Sequence, residues 1–346
     1  MRHNKNKHIL MEIDWKNLPF GYMKTDYNVR CYYRDGKWGE LEVSSSEHIM
    51  LHMAATSLHY GQEAFEGLKA FRGKDGQIRL FRCVDNARRM RTSAAYIQMA
   101  APPVDLFIEA VEKAILYNER FVPPYESGAS LYIRPLLIGS GAEVGVKPSK
   151  EYLFLVFVTP VGPYFKTGFK PMDVMIIRDS DRAAPLGTGH IKVGGNYAAS
   201  LPATVQVQQL GYATSLYLDA KEKMYIDECG PANFFGIKED SYVTPQSRSI
   251  LPSITNSSLM TLALDMGMTL ECRQITVEEL ETFDEVGECG TAAVITPIGK
   301  IFDPQTNRIY TYGDDAGPVS TKLYERLRAI QYGDVPDPHR WISIVE

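Results

Sequence analysis

The sequence predicts an α+β fold built from two domains, and three observations lead to this prediction. The chain of 346 residues is long enough to bury two hydrophobic cores. Strand-like and helix-like runs are mixed in both halves of the chain. Between the halves, the stretch VGPYFKTGFK is rich in glycine, proline and aromatic residues and interrupts both patterns. We therefore expect a smaller N-terminal domain at residues 1–160, an interdomain loop at 161–170 and a larger C-terminal domain at 171–346.

In the first half, the sequence predicts a hairpin, two helices and two further strands. Two strand-like runs flank a Lys-Asp-Gly turn in LKAFRGKDGQIRLFR, which is a strong hairpin signal. The stretch VDNARRMRTSAAYIQMA predicts a helix with Asp85 or Asn86 as its N-cap. A second helix follows from the apolar spacing in VDLFIEAVEKAILYNERF. The two further strands are ASLYIRPLLIG and EYLFLVFVTPVG.

In the second half, short strands alternate with three helices. The strands are DVMIIRD, ATSLYLD, KMYID and NFFGIKE. The helices are NYAASLPATVQVQQLG, ITNSSLMTLALDMGM and a terminal one from Val319 to about Ile330.

Composition argues against several classes of partner. The formal net charge is -5 and no stripe of lysine and arginine stands out, so no nucleic-acid partner is expected. No apolar run reaches about 18 residues, so no membrane partner is expected. The five cysteines are scattered and nowhere spaced C-x-x-C, and no histidine spacing is typical of a metal site. We expect a cytoplasmic protein without a metal.

One lysine carries the functional prediction. The stretch LGTGHIKVGGNYAASL places Lys192 among apolar and glycine neighbours, directly before a predicted helix. A G-x-G-x-x-G loop would need glycine at Lys192, and a Walker loop would need Gly-Lys-Ser/Thr, so a nucleotide loop is disfavoured. A Schiff-base lysine fits better, because burial lowers the pKa of an amine towards neutrality and glycines allow a flat ring to approach. The ring would be that of pyridoxal 5′-phosphate.

This cofactor needs an acid facing the ring nitrogen, a phenol near the ring oxygen and donors for the phosphate. Glu228, at the end of a predicted strand before a Cys-Gly-Pro turn, is the candidate acid. Tyr197 follows Lys192 by five residues and is the candidate phenol. The candidate phosphate ligands are the amides of Ile254 and Thr255 at a helix N-terminus, with Thr291 and Arg89.

Taken together, these segments resemble the branched-chain-amino-acid aminotransferase family of the fold-type IV (class IV) enzymes. The matching stretches run in the family's order from Phe20 onward: PFGYMKTDY, HYGQEAFEGLKAFRG, RLFR, NARRM, SLYIRPLLIG, VGPYF, KVGGNYAASL, DECGPANFF, ILPSIT and GTAAVITPI. The resemblance implies two α/β domains joined by an interdomain loop, with pyridoxal phosphate at the domain interface. It also implies a homodimer.

The resemblance further implies an activity and a set of site residues. The activity is transamination of L-leucine, L-isoleucine and L-valine with 2-oxoglutarate, in branched-chain amino acid biosynthesis or degradation. Lys192 is implied to be catalytic and to hold the cofactor with Glu228, Tyr197 and the phosphate ligands named above. The implied substrate pocket consists of Phe20, Tyr60, Phe65, Tyr132, Arg134 and Ala292, with Tyr132, Val144 and Val146 reaching the neighbouring subunit's site. Arg134 would engage the γ-carboxylate of glutamate.

The chain departs from the family pattern at a few positions. Pro231 replaces a small or hydroxyl residue, and Ser253 and Asn256 replace glycine and arginine around the phosphate helix. Ala293 and Thr296 stand where mammalian members have a C-x-x-C pair. Two alternatives stay open: a D-amino-acid aminotransferase or aminodeoxychorismate lyase of the same fold, and a non-enzymatic binding module.

Overall fold

The computed structural model describes residues 13–15, 17–162 and 169–346. Its first sheet is built mainly from the N-terminal half of the chain. The strands are β1 (Asn28–Arg34), β2 (Lys37–Trp38), β3 (Glu42–Ser44), β4 (Glu63–Phe65), β5 (Leu68–Arg72), β6 (Ile78–Phe81), β7 (Ser130–Gly139) and β8 (Tyr152–Val161). The central order is β6-β5-β7-β8-β1-β2, with β3 on β1 and β4 on β7, and all neighbours are antiparallel.

Two helices cover one face of this sheet. They are α2 (Cys83–Tyr96) and α3 (Val104–Leu116), and the short helix α1 (Thr56–Tyr60) lies beside β7. Phe107 of α3 stacks on Phe154 of β8 with ring centroids 5.6 Å apart, and both rings are fully buried. This contact lies in the core of the N-terminal half.

The second sheet closes into a barrel. Its strands are β9 (Met172–Ile177), β10 (Thr214–Leu218), β11 (Ile226–Cys229), β12 (Ala232–Lys238), β13 (Ser241–Pro245), β14 (Thr269–Arg273), β15 (Glu285–Gly290), β16 (Val294–Asp303) and β17 (Arg308–Thr311). Pairing runs β11-β10-β9-β16-β15-β12, and β12 pairs with β11 again. Aliphatic side chains such as Ile176, Leu216 and Val286 fill the interior.

Three helices and a last strand complete the described part of the chain. The helices are α4 (Gly194–Gln209), α5 (Ile254–Asp265) and α6 (Pro318–Tyr332), and the strand is β18 (Ile342–Val345). Strand β18 returns to the first sheet and pairs with β6. One core cluster contains Phe71 and Phe81 of the first sheet, Phe235 of the barrel and Leu327 of α6. The two sheets are therefore joined through a shared apolar core.

The predicted hairpin and all five predicted helices are present. The N-cap predicted for α2 is wrong: the helix begins at Cys83, and Arg82 is its N-cap. Arg82 has a positive φ of 50°, and its guanidinium donates to Asp85 and to Ser258 of α5. Asp85 is thus inside the first turn, where its charge favours the helix N-terminus. Of the predicted loop at 161–170, residues 163–168 lie outside the described residues.

No helix in the described ranges has the length and apolar character needed to cross a membrane.

Candidate active site

The backbone of Lys192 is held against helix α2 and strand β4 of the N-terminal half. Its N–H donates to Ser93 Oγ of α2 at 2.9 Å, and its carbonyl accepts from the N–H of Phe65 in β4 at 3.2 Å. Two residues later, the N–H of Gly194 at the start of α4 donates to Glu63 Oε1. A Cβ at Gly194 would stand 2.1 Å from that oxygen, so only glycine fits at this position. The segment before α4 is therefore clamped on both sides of the lysine.

The side chain of Lys192 lies in an aromatic corner. Nζ donates to the hydroxyl of Tyr197 at 2.7 Å and lies 4.8 Å from the ring centroid of Phe65. Burial lowers the pKa of Lys192 to about 8, and the positive charge of Arg89 adds to this lowering. At pH 7 about one amine in ten is therefore unprotonated and able to act as a base or nucleophile, a far larger fraction than for an exposed lysine.

Glu228 is a buried carboxylate with a paired arginine. It is 2% exposed, and its Oε2 lies 2.9 Å from Nε of Arg182, which is also buried. Oε1 accepts from the N–H of Leu251 and from Nδ2 of Asn233. Burial raises the pKa of Glu228 to about 7, and Arg182 opposes this rise. Since a carboxylate has about four lone-pair sites, these three contacts leave room for one more donor.

The N-terminus of α5 offers backbone amides beside Thr291. Ser253 caps this helix by accepting from the N–H of Asn256 at 3.1 Å, so the amides of Ile254 and Thr255 at the first two helical positions have no intrahelical acceptor. These two residues and Thr291 line one small cavity. Aligned peptide dipoles and unpaired amides make such a helix end a site for an anion.

Arg89 lies next to this helix end. Its guanidinium makes two hydrogen bonds with the fully buried Glu66, at 2.8 and 2.7 Å, and donates to the carbonyl of Pro252 at 2.9 Å. Pro252 directly precedes the Ser253 cap. Arg89 thus fixes the segment that leads into α5 and brings a positive charge close to it.

A cleft of about 410 Å³ opens in front of Lys192. It is lined by Phe20, Phe65, Gly67, Tyr132, Arg134, Lys192, Tyr197, Pro231, Ala232, Glu288, Gly290, Thr291, Ala292, Ala293 and Thr296. The aromatic rings form an apolar wall, and Phe20 meets Tyr132 edge to face at 5.3 Å.

The guanidinium of Arg134 lies against this aromatic wall. Tyr132 and Arg134 are alternate residues of β7, so their side chains share one face of the strand. The guanidinium of Arg134 donates to the Tyr132 hydroxyl at 3.1 Å and lies 4.9 Å from the ring centroid of Phe65. Nε of Arg134 is buried and has no hydrogen-bond partner among the described residues. An unpaired buried donor of this kind suits an anionic group of a ligand.

Comparison with known proteins identifies the family. Residues 63–301 match the family Amino-transferase class IV. The chain is 46% identical to the branched-chain-amino-acid aminotransferase of Haemophilus influenzae over 344 residues, which cover 97% of this chain and 100% of that protein. The chain belongs to the class IV aminotransferases.

Solved structures of class IV aminotransferases share the fold described above. The crystal structure of Escherichia coli branched-chain amino acid aminotransferase matches with a TM-score of 0.78 and 27% identity, over 93% of this chain and all of that one. The branched-chain amino acid aminotransferase of Thermobaculum terrenum, solved in its PLP-form, matches with a TM-score of 0.78 and 22% identity, over 94% of this chain and all of that one. The predicted fold-type IV architecture is confirmed, and the cofactor of the family is pyridoxal 5′-phosphate.

The structure brings most of the predicted site residues together. Eight of them line the cleft: Phe20, Phe65, Tyr132, Arg134, Lys192, Tyr197, Thr291 and Ala292. Glu228 lies close enough to Tyr197 to raise the pKa of its hydroxyl, and the charge of Lys192 lowers the pKa of Glu228. The charge of Arg89 lowers the pKa values of both Lys192 and Tyr197. Three predicted residues, Tyr60, Val144 and Val146, do not line this cleft and are exposed in the single chain.

The departures from the family pattern have local structural roles. Asn256, where the family has arginine, turns inward and accepts from the Tyr242 hydroxyl at 2.7 Å. Its side-chain amide donates to Thr244 Oγ1 of β13 at 3.0 Å. The Asn256 side chain therefore packs against the barrel and does not face the candidate anion site at the N-terminus of α5. Pro231 follows the end of strand β11, which carries Glu228, and it lines the cleft.

Sequence reasoning missed three acidic and basic side chains of the site. Arg182 pairs with Glu228, Glu63 accepts from the N–H of Gly194, and Glu288 lines the cleft. For Arg182 and Glu63 the only available signal was a charged residue near an apolar strand or a glycine-rich turn. Glu288 stands inside EVGECG, where the glycines suggest a turn and hide a buried strand position.

Proposed function

We propose that the chain transfers the amino group of L-leucine, L-isoleucine and L-valine to 2-oxoglutarate, giving branched-chain 2-oxo acids and L-glutamate. One observation carries this proposal: a single cleft combines Lys192, an aromatic wall and the unpartnered guanidinium nitrogen of Arg134. The wall suits an aliphatic side chain, and the arginine suits the second carboxylate of glutamate. The likeness to the Haemophilus influenzae enzyme along nearly the whole chain supports the same substrates.

The residues present fit pyridoxal phosphate. The amine of Lys192 lines the cleft, and it lies close enough to the buried Glu228 to lower the pKa of that carboxyl. The N-terminus of α5 lines a neighbouring cavity, which shares Gly67 and Thr291 with the cleft. An amine, a carboxylate and a helix N-terminus are the groups that an aldehyde, a pyridine nitrogen and a phosphate require. When bound, the cofactor supplies an electron sink for the pair of electrons left at the substrate α-carbon. The residues proposed to hold it are Lys192, Glu228, Tyr197, Arg89, Ile254, Thr255 and Thr291.

Lys192 is proposed to carry the proton of the reaction. Its Nζ accepts the proton from the substrate α-carbon, which requires an unprotonated amine, and the lowered pKa of about 8 provides it. The Tyr197 hydroxyl, 2.7 Å away, orients Nζ through its hydrogen bond. Phe65 and Tyr197 exclude water from the amine on two sides.

Glu228 is proposed to hold a proton at the ring nitrogen. Burial raises the pKa of the Glu228 carboxyl to about 7. A positive charge at the ring nitrogen favours the ionised carboxylate, so the carboxylate and the protonated nitrogen stabilise each other. The ion pair with Arg182 keeps the Glu228 carboxylate oriented.

We also propose that two subunits complete each site, as the resemblance implies. Val144 and Val146 are each 85% exposed, and Met50 and Met53 are 97% and 83% exposed. The Tyr60 hydroxyl donates to the carbonyl of Val144, which ties the exposed loop to α1. A homodimer that buries these side chains would remove four strongly exposed apolar residues from water.

Two further assignments accompany the function. We propose domains at 1–160 and 171–346 joined by 161–170, supported by the two separate sheets, with strand β18 returning to the first sheet. We also propose a cytoplasmic location, in keeping with the free thiols of all five cysteines.

The activity is tested with a panel of amino donors. The protein loaded with pyridoxal phosphate is incubated with 2-oxoglutarate and L-leucine, L-isoleucine, L-valine or their D-enantiomers, and L-glutamate is measured. We expect turnover with the three L-amino acids and at least about 100-fold less with the D-enantiomers. Turnover of D-amino acids alone would favour the same-fold alternative, and no turnover of any donor would favour a binding module.

Substitution of Arg134 by methionine tests the dual use of the pocket. Loss of a buried charge-assisted hydrogen bond should raise the KM for 2-oxoglutarate by about 10- to 100-fold. The KM for L-leucine should change by less than about threefold, because an aliphatic side chain does not use the guanidinium. Steady-state kinetics with both substrates gives the two values. Arg134→Lys keeps the charge and should fall between methionine and wild type, and equal changes for both substrates in R134M would contradict this role.

A further inference from the structure

Glu288 is a buried acid in the cleft that the proposed transamination does not use. It lies on β15 and is 6% exposed, with Thr296 of β16 and Phe234 of β12 as its cross-strand partners. Glu288 and Gly290 are alternate residues, so they face the same side of the strand. A Cβ built at Gly290 would have only the Ala232 Cβ within 4 Å, at 3.8 Å. The cleft therefore continues past Gly290 towards the Glu288 side chain.

Two polar side chains lie next to each other at this end of the cleft. In the described part of the chain, Glu288 Oε2 and Thr296 Oγ1 are buried and have no hydrogen bond of good geometry, although the Thr296 hydroxyl is close enough to the Glu288 carboxyl to lower its pKa. Burial raises the pKa of Glu288 to about 8, and the nearby Thr296 hydroxyl lowers it by less. Burial raises the pKa values of the Cys229 and Cys289 thiols, and the nearby Glu288 raises them further. At neutral pH the carboxyl is therefore mostly neutral, with one donor and one acceptor to offer.

The Glu288 carboxyl and the Thr296 hydroxyl favour binding of an uncharged polar group of a ligand. A carboxylate here would be desolvated without a counter-ion, and the cleft already offers Arg134 to a carboxylate. A carboxamide or hydroxyl can satisfy the Glu288 carboxyl and the Thr296 hydroxyl without burying a charge. The ligand would then supply the well-aligned hydrogen bonds that these two buried groups lack in the described part of the chain.

We propose that Glu288 and Thr296 form a polar subsite that binds an uncharged carboxamide or hydroxyl in the side chain of a second class of amino acid or 2-oxo acid. The proposal rests on the proposed function, which places the substrate side chain in this cleft. It predicts that the carboxamide isostere of leucine and the hydroxyl isostere of valine bind better than an apolar pocket would allow.

Two non-reacting carboxylic acids of equal shape test the subsite. 4-Methylvalerate carries the leucine side chain, and succinamate replaces its isopropyl group by a carboxamide of the same branched shape. Their Kd values for the holoenzyme are measured by titration calorimetry at pH 7. In Glu288→Leu, the Kd of succinamate should rise about tenfold and that of 4-methylvalerate should change by less than about twofold. Glu288→Gln, which keeps a donor and an acceptor, should stay within about threefold of wild type for both.

Thr296→Val provides an independent variant, because it removes only a hydroxyl. It should weaken succinamate by about threefold and leave 4-methylvalerate unchanged. Equal changes for both acids in E288L and T296V, or no change for either, would overturn the subsite while leaving the proposed function intact. Failure of 4-methylvalerate to bind wild-type holoenzyme would overturn the placement of the side chain, and the subsite with it.

Discussion

Replacing Lys192 by alanine is expected to lower kcat for transamination of L-leucine by roughly 10⁴-fold or more. The variant loses both the proposed covalent anchor of the cofactor and the base that accepts the α-proton. No other amine lines the described cleft, so no side chain there takes over the role. The measurement is steady-state glutamate formation with saturating pyridoxal phosphate.

The control for this experiment is Lys221→Ala. The Lys221 side chain is 79% exposed and pairs with Glu222 at the surface. Its removal should leave kcat unchanged, since exposed ion pairs contribute little. Both variants should unfold within a few degrees of wild type, because neither substitution opens a core cavity. Turnover by K192A within about tenfold of wild type would contradict the assignment.

Replacing Glu228 by glutamine is expected to lower kcat by roughly 10²- to 10³-fold while the protein still binds cofactor. The amide has nearly the same shape but carries no charge to hold a proton at the ring nitrogen. It also removes the carboxylate that pairs with the buried guanidinium of Arg182, which should cost about 3–5 kcal/mol of unfolding free energy. Kinetics and thermal unfolding are therefore measured on the same sample.

A double variant separates these two effects. Arg182→Met combined with E228Q removes the unpaired charge and should regain most of the lost stability. It should remain as slow as E228Q alone, because the proposed catalytic role belongs to the carboxylate. Recovery of kcat together with stability would mean that Glu228 serves only the fold.

Much of the fold was predictable because its signals are local. The Lys-Asp-Gly turn between β5 and β6 and the apolar spacing of α3 are each visible within about twenty residues. The closed barrel was not predictable, since it depends on β9 pairing with β16 across more than a hundred residues. The same holds for β18, whose pairing with β6 has no local signal.

At the start of α2, a contact with a distant residue overrides the local capping signal in the sequence. Asp85 and Asn86 are good N-cap residues, yet the helix begins before them. Arg82 takes a left-handed backbone conformation and reaches Ser258 on α5, so the chain reverses earlier than the capping residues suggest. A contact between residues 176 positions apart is not encoded in any local pattern.

The candidate site, like the fold, has some residues with a local sequence signal and others that are identified only by distant contacts. Lys192 stood out because an ammonium among glycines and apolar residues is unusual, and Glu228 stood out because it precedes a turn. The groups that hold them in place are not visible in those local patterns. Arg182 pairs with Glu228, and Glu63 of β4 accepts from the N–H of Gly194 at the start of α4. Glu288 was hidden for another reason, since only the pairing of β15 with β12 and β16 shows that it is buried in the cleft.

A covalent bond between Lys192 and the cofactor is central to the proposed function, and reductive trapping tests this bond directly. Borohydride treatment of the holoenzyme converts the carbon–nitrogen double bond into a stable secondary amine, and peptide mass spectrometry then locates the modified residue. We expect a single phosphopyridoxyl group, on Nζ of Lys192. A label on another lysine such as the buried Lys69, or none on Lys192 in fully loaded protein, would contradict the account.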